Sequence, residues 1–168
     1  MFLDESGITT KLLRRYGRSL RGQRVADHAP QGHWQTSTFI AALRVTGLTA
    51  PGVFDGPMDG ECFLAYVDQI LVPTLQKDDI VVADNLAAHH VDGVRELIEA
   101  AGAVLWYLPP YSPDFNPIEL CFAKLKAILR AARCRSAQTL WPLLGACLAR
   151  FSAEECHNYF RHCGYIGR

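Results

Sequence analysis

The chain has 168 residues, 49% of them hydrophobic and 20% charged, enough for one domain that buries roughly 70% of its unfolded surface. This excludes a disordered tail and a disulfide-propped miniprotein. Seventeen basic and seventeen acidic side chains sum to a net charge of zero, which taken alone argues against a nucleic-acid binder.

The charges are nevertheless segregated. Residues 1–50 hold seven Lys/Arg against three Asp/Glu, residues 51–119 two against twelve, and residues 120–168 eight against two. An acidic centre flanked by basic surface is expected. The longest stretch without a charged residue, His28 to Leu43, is 16 residues long and carries two His, two Gln and a Gly, too short and polar to span a bilayer. MFLDESGITT has no basic region followed by an apolar block, so no signal peptide is expected, a reducing cytoplasm is the expected compartment, and the six cysteines are expected as thiols. Cys156, His157, His162 and Cys163 come nearest to a ligand cluster, but their spacing matches no usual structural zinc pattern.

In chain order, MFLD reads as the end of a strand, followed by a basic stretch. Lys11, Arg14, Arg15, Arg18, Arg21 and Arg24 are interrupted by Gly17 and Gly22, which predicts a turn-rich connection rather than a helix. QRVADHA, TSTFIAALRVTG and APGVFDG read as strands, with a turn at Gly47. Glu61 to Leu75 has apolar residues at helical spacing, and Pro73 bends or ends that helix. DIVVAD predicts a buried strand, NLAAHH leads to a helix over Val91 to Ala101 capped by Gly102, and AVLWYL predicts another buried strand. Together these form a parallel βαβ unit, with the right-handed crossover expected of such units. PPYSPDFNP is a rigid, proline-stiffened loop. Asn116 and Pro117 predict a helix start, with Ile118, Phe122, Leu125 and Leu129 as the apolar stripe and Lys124, Lys126, Arg130, Arg133 and Arg135 around the rest. Ser136 opens another helix, and Ser152 with Glu155 forms a capping box for a last one. Trp34, Trp106 and Trp141 are expected in the core. The whole reads as one α/β domain.

Asp4 and Asp84 each end a buried apolar run, where a carboxylate costs desolvation energy unless something compensates. A divalent cation would compensate, and Glu119, one turn into a helix after a stiff loop, could be a third ligand. Taken singly, each has a plainer role open to it: Asp84 with Asn85 can start a turn, Asp4 can be a chain-end residue, and Glu119 can close a capping box on Asn116.

FLDESG, DNLAAHH and LPPYSPDFNPIELCFAKLK closely resemble the three catalytic blocks of bacterial insertion-sequence transposases of the six-thirty branch, in the Tc/mariner superfamily of DDE enzymes. Thirty-four residues separate Asp84 from Glu119, the separation known in that superfamily, and GRSLRGQRV, HWQTSTFIAAL and ECHNYFRHCGY extend the likeness over nearly the whole chain. The resemblance implies an RNase H-like α/β fold, a central mixed five-stranded sheet flanked by helices, whose first and fourth strands are neighbours. It implies that Asp4, Asp84 and Glu119 are the catalytic, metal-holding triad, with two Mg²⁺ (or Mn²⁺) ions. The implied chemistry is phosphodiester hydrolysis at a transposon end, then attack of the freed 3′-hydroxyl on target DNA, both in-line displacements at phosphorus. Asn85 and His89 are expected to shape the rim or contact phosphate, or else to make local turn and helix-start hydrogen bonds. His90 stands where the family commonly has Lys. Lys124, Lys126, Arg130 and the basic segment 11–24 are the DNA-backbone candidates. Glu5 should point to the opposite face from Asp4. Residues 1–168 are expected to be a single catalytic domain without the family's helix-turn-helix modules, in a homo-oligomer or with a partner chain that supplies them. An RNase H-like nuclease without strand transfer, and a catalytically silent DNA-binding remnant, remain alternatives.

Overall fold

A computed structural model describes residues 1–14, 16–26, 28 and 34–167. Five strands form one sheet: β1 (Phe2–Thr9), β2 (Thr36–Arg44), β3 (Gly47–Asp55), β4 (Ile80–Ala83) and β5 (Val104–Tyr107), in the spatial order β3-β2-β1-β4-β5. The first three run antiparallel; β4 lies parallel to β1, and β5 parallel to β4. The sheet is therefore mixed, with β1 at its centre.

β1 extends further than MFLD predicts. ESGIT has little intrinsic strand preference, but β2 pairs with it from Phe2↔Leu43 to Thr9↔Thr36, and tertiary pairing overrides propensity. β2 is buried along almost its whole length, as a strand covered on both faces must be. Its alternation divides the core. Phe39, Ala41 and Leu43 point to one layer with Phe2 and Ile8, whereas Ile40 and Ala42 point to the other with Leu3.

The first layer is built by α3 (Pro117–Ala132), α4 (Ala137–Leu148) and α5 (Ala153–His162). The expected stripe of α3 is all buried, joined by Cys121, and Phe122 meets Phe39 edge-on with ring centroids 6.0 Å apart. Burying each such side chain contributes about 1.5–3 kcal/mol. The Ser152 hydroxyl accepts from the Glu155 amide at the start of α5, but the Glu155 carboxylate turns to Lys124 and Tyr159, so only half of the expected capping box forms.

The second layer holds α1 (Gly60–Tyr66) and α2 (Val94–Ala100). The Asp59 carboxylate caps α1 at the Cys62 amide, and the helix continues as a wider π turn over Val67–Leu71 and a 3₁₀ turn over Val72–Thr74 around Pro73. α2 starts three residues later than the sequence suggests. Ala87–His90 make a separate 3₁₀ turn, and Gly93 at φ 94° breaks the chain before Val94. Gly102, at φ 80°, ends α2 in the expected way. Its amide bonds Glu99 O and the Ala103 amide bonds Ile98 O, the paired pattern of a left-handed helix terminator.

Two expectations fail at the sheet edges. Residues 23–26 and 28 of the QRVADHA run are exposed and form no strand, because no apolar alternation is there to be buried; Asp27 and Ala29 lie outside the described residues. β5 is an edge strand with Val104 and Trp106 exposed, not a fully buried one. None of the three tryptophans is a core residue: Trp106 and Trp34 are each 56% exposed and Trp141 39%. Trp34 takes the Lys11 ammonium over its ring at 4.3 Å, and the Trp141 indole donates to Ser37 Oγ.

Candidate active site

The parallel register Phe2↔Val82, Leu3↔Ala83 brings the next residues of the two strands, Asp4 and Asp84, to the same end of neighbouring elements. On β1, Asp4 shares a face with Phe2 and Ile8, the face that α3 covers, and is paired across the ladder with the small Ala41. Glu119 is exposed in the first turn of α3. Asp4, Asp84 and Glu119, from three elements, line one cleft of about 350 Å³ together with Asn85, Leu86, Asn116 and the loop residues Leu108 to Pro113.

Asp4 is 4% exposed. Burial, then the charges of Asp84 and Glu119, push its carboxyl up to about 8. Asn116 was expected to cap α3, but its side chain makes no cap bond; its Nδ2 donates to Asp4 Oδ2 at 2.8 Å. The N-terminal amide of Glu119 instead reaches the Asn116 carbonyl, so no reciprocal capping box engages the Glu119 carboxylate. The sequence signals for a helix cap and for a partner of Asp4 are the same residue type, and only the fold separates them.

His89 corrects its expected role at the rim. It is 1% exposed, with Nε2 2.8 Å from Glu5 Oε2 and Nδ1 2.7 Å from Asp84 Oδ1, and its ring lies 4.3 Å from that of Phe63. Burial opposes a charge on this imidazole, but the hydrogen bonds and charges of Asp84 and Glu5 outweigh it and push it up to about 10. Both nitrogens are occupied, so His89 cannot reach a phosphate. It links Glu5, which does point to the face opposite Asp4, to Asp84. No local spacing could reveal this contact, because Glu5 and His89 are 84 positions apart. The Leu86 amide also donates to Asp84 Oδ1, and no group among the described residues hydrogen-bonds Oδ2.

Asn85 is exposed in the cleft lining, and His90 is exposed. His90 Nε2 bonds Asn85 Oδ1, and its ring stacks on Tyr107 at 4.1 Å. Lys124 is a correction. Its ammonium bonds the Arg150 carbonyl and the Glu155 carboxylate and lies 4.6 Å over the Phe151 ring, tying α3 to α5 rather than facing a ligand. Lys126 and Arg130 are half-buried on α3, with no carboxylate partner among the described residues. In the basic segment, Lys11, Arg18, Arg21 and Arg24 are exposed, and Arg15 lies outside the described residues.

Three carboxylates around one cleft repel one another, and a divalent cation offsets that cost. The buried Asn116 Oδ1 has no hydrogen-bond partner and could accept from cation-bound water. The donor set thus fits a hard cation. Among the described residues, no group of three His, Cys, Asp or Glu side chains forms a ready-made metal site.

The sheet order, the flanking helices and carboxylates converging from β1, the end of β4 and α3 define an RNase H-like domain. Residues 1–141 match the model of the DDE superfamily endonuclease family, and the chain belongs to that family. Its fold is similar to that in a pre-cleavage Mos1 transpososome (TM-score 0.78, 18% identity, 96% of this chain and 51% of that one). The Mos1 mariner paired end complex with Mn is similar at TM-score 0.73 and 20% identity, covering 96% and 50%. The Mos1 transposase catalytic domain with Raltegravir and Mg gives 0.68 and 17%, covering 96% and 75%. The chain thus spans about half the length of the transposase chains in the first two. Curated proteins give no significant match.

Proposed function

We propose that this chain is the catalytic domain of a Tc/mariner-type transposase, of the insertion-sequence six-thirty branch, that cleaves DNA phosphodiesters and joins the freed 3′-end to target DNA. The observation that carries this reading is the convergence of Asp4, Asp84 and Glu119 on one cleft from three separate elements. These three would hold two Mg²⁺ or Mn²⁺ ions. Bound there, the cations would activate the attacking oxygen and stabilise the leaving one. Asn116 holds Asp4, and His89 with Glu5 holds Asp84, so two of the three carboxylates are oriented before substrate arrives. Asn85, His90, Lys126 and Arg130, with the basic segment, would contact the DNA backbone. Transposon ends and target DNA are the partners, within a homo-oligomer or with a chain carrying helix-turn-helix modules, in the nucleoid. Residues 1–168 then form one catalytic domain.

The test is Mg²⁺-dependent nicking of supercoiled DNA, together with joining of pre-cleaved transposon ends. Both activities should vanish in Asp84→Ala. Nicking without joining points to an RNase H-like nuclease lacking strand transfer. Equal DNA binding with no cleavage in either protein points to a silent remnant.

A further inference from the structure

The cleft that holds the carboxylates is also lined by residues of different chemistry: Leu86, Leu108, Pro109, Pro110, Tyr111 and Pro113. A hydrated cation and a phosphate give no reason for such a surface, since both prefer polar neighbours. Tyr111 is the most exposed large hydrophobic side chain among the described residues. It is fully exposed, with no hydrogen bond or ring contact among the described residues, while Leu86 is 46% exposed.

The backbone holds Tyr111 there against its own preference. Its φ is 55°, a left-handed conformation that a bulky side chain rarely adopts. The loop around it is stiff. Pro109 and Pro110 precede it, Ser112 is restricted by Pro113, and the Ser112 hydroxyl bonds the Pro110 carbonyl at 3.3 Å. Past the 3₁₀ turn at Pro113–Phe115, the Tyr165 hydroxyl anchors the Phe115 carbonyl at 2.8 Å. An aromatic ring presented on a rigid loop loses little conformational entropy on binding, having only two side-chain torsions. Strained backbone that displays an exposed ring beside a candidate active site is the arrangement expected of a ligand contact.

We infer that Tyr111 is a stacking platform for a nucleobase of the DNA strand whose phosphate lies against Asp4, Asp84 and Glu119. This assignment rests on the DNA-processing reading above. A nucleotide is polar at its phosphate and flat and apolar on its base faces, and the cleft lining offers carboxylates and apolar side chains together. Stacking tolerates every base, so the platform positions a strand without reading its sequence. The base adjoining the bound phosphate must lie unstacked from its neighbour, which a nick, an end or a distorted duplex provides.

The experiment uses the full chain and a fluorescein-labelled DNA duplex with a recessed end, with Ca²⁺ replacing Mg²⁺ so that binding is read without cleavage. Fluorescence anisotropy compares intact DNA with a scan of single abasic sites near the end. Tyr111→Ala should bind roughly 10-fold more weakly, and Tyr111→Phe within about twofold of the native chain. Tyr111→Gly keeps the loop conformation without the ring, so it should melt no lower than the native chain yet bind as weakly as Tyr111→Ala. One abasic position should weaken the native chain by a similar factor and leave Tyr111→Ala unaffected. Equal losses in Tyr111→Phe and Tyr111→Ala overturn the inference, as does an abasic effect that persists in Tyr111→Ala. Normal binding insensitive to Tyr111→Ala removes this inference alone, whereas no DNA binding by the native chain removes the DNA-processing reading with it.

Discussion

Asp4 and Glu5 are adjacent in sequence and serve the site from opposite faces of one strand. Asp4 sits under α3 against Asn116, and Glu5 reaches His89 on the other face of the sheet. His89→Ala would leave two carboxylates facing a partly buried space without their counter-charge, and should cost about 3 kcal/mol in chemical denaturation. Because His89 orients Asp84, Mn²⁺ affinity followed by calorimetry should also fall, by roughly 10–100-fold. Glu5→Gln keeps a hydrogen-bonding group for the imidazole, and its losses should be smaller on both measurements. Asp4→Asn should act in the reverse direction on stability. It removes a carboxyl whose ionisation burial and two neighbouring carboxylates oppose, while keeping an acceptor for Asn116, so the metal-free protein should melt higher although nicking is lost. A lower melting temperature in Asp4→Asn would show that Asp4 is not under this electrostatic load. Asp4, Asp84 and Glu119 stood out in the sequence through the likeness of three blocks to a known family, while local patterns alone left each of them a plainer structural role. The contacts of His89 with Glu5 and of Asn116 with Asp4 were not legible, because both partners come from a strand that local patterns cannot bring near.

Among the elements, α3 combines the two tasks of the domain: its first turn presents Glu119 and its apolar stripe fills the layer beneath the sheet. Leu125→Ala should destabilise the fold by about 2–5 kcal/mol in a denaturant titration. Lys124→Ala removes a partly exposed tie to α5 and should cost at most about 1 kcal/mol, with DNA affinity unchanged; a marked loss of affinity would restore Lys124 as a DNA contact. A second tie joins β2 to the approach of β4, where Arg44 bonds both Asp79 oxygens and the Thr74 carbonyl. Those bonds hold the Asp79 carboxyl below its usual range. The stability they contribute is present above the ordinary carboxylate pKa and lost as pH falls through the lowered one. Acid unfolding of Asp79→Asn should therefore be less steep than that of the native chain. The helices were legible almost to their ends, since 3.6-residue periodicity and caps are written locally. The lengthening of β1 and the exposure of β5 were not, because both depend on which strands lie alongside.

For the whole molecule, the neutral net charge conceals a division that the fold preserves in part. The acidic middle of the chain supplies Asp84 and Glu119 to the cleft, while Lys11, Arg18, Arg21 and Arg24 stand exposed on the segment between β1 and β2. DNA affinity should accordingly be weak without divalent cation, rise when it is added, and fall steeply with salt. Reversing Arg18 and Arg21 to Glu should weaken binding and flatten its salt dependence, measured by anisotropy across a salt series. The central position of β1 also has a consequence in time. A chain growing from its N-terminus exposes Asp4 first, Asp84 eighty residues later, and Glu119 only after 115. β1 can close a hairpin-like pairing with β2 early, but its parallel partner β4 must cross a long loop, a slow and entropically costly closure. The cleft is therefore completed late in folding, well after the segment that carries Lys11, Arg18, Arg21 and Arg24 has been made.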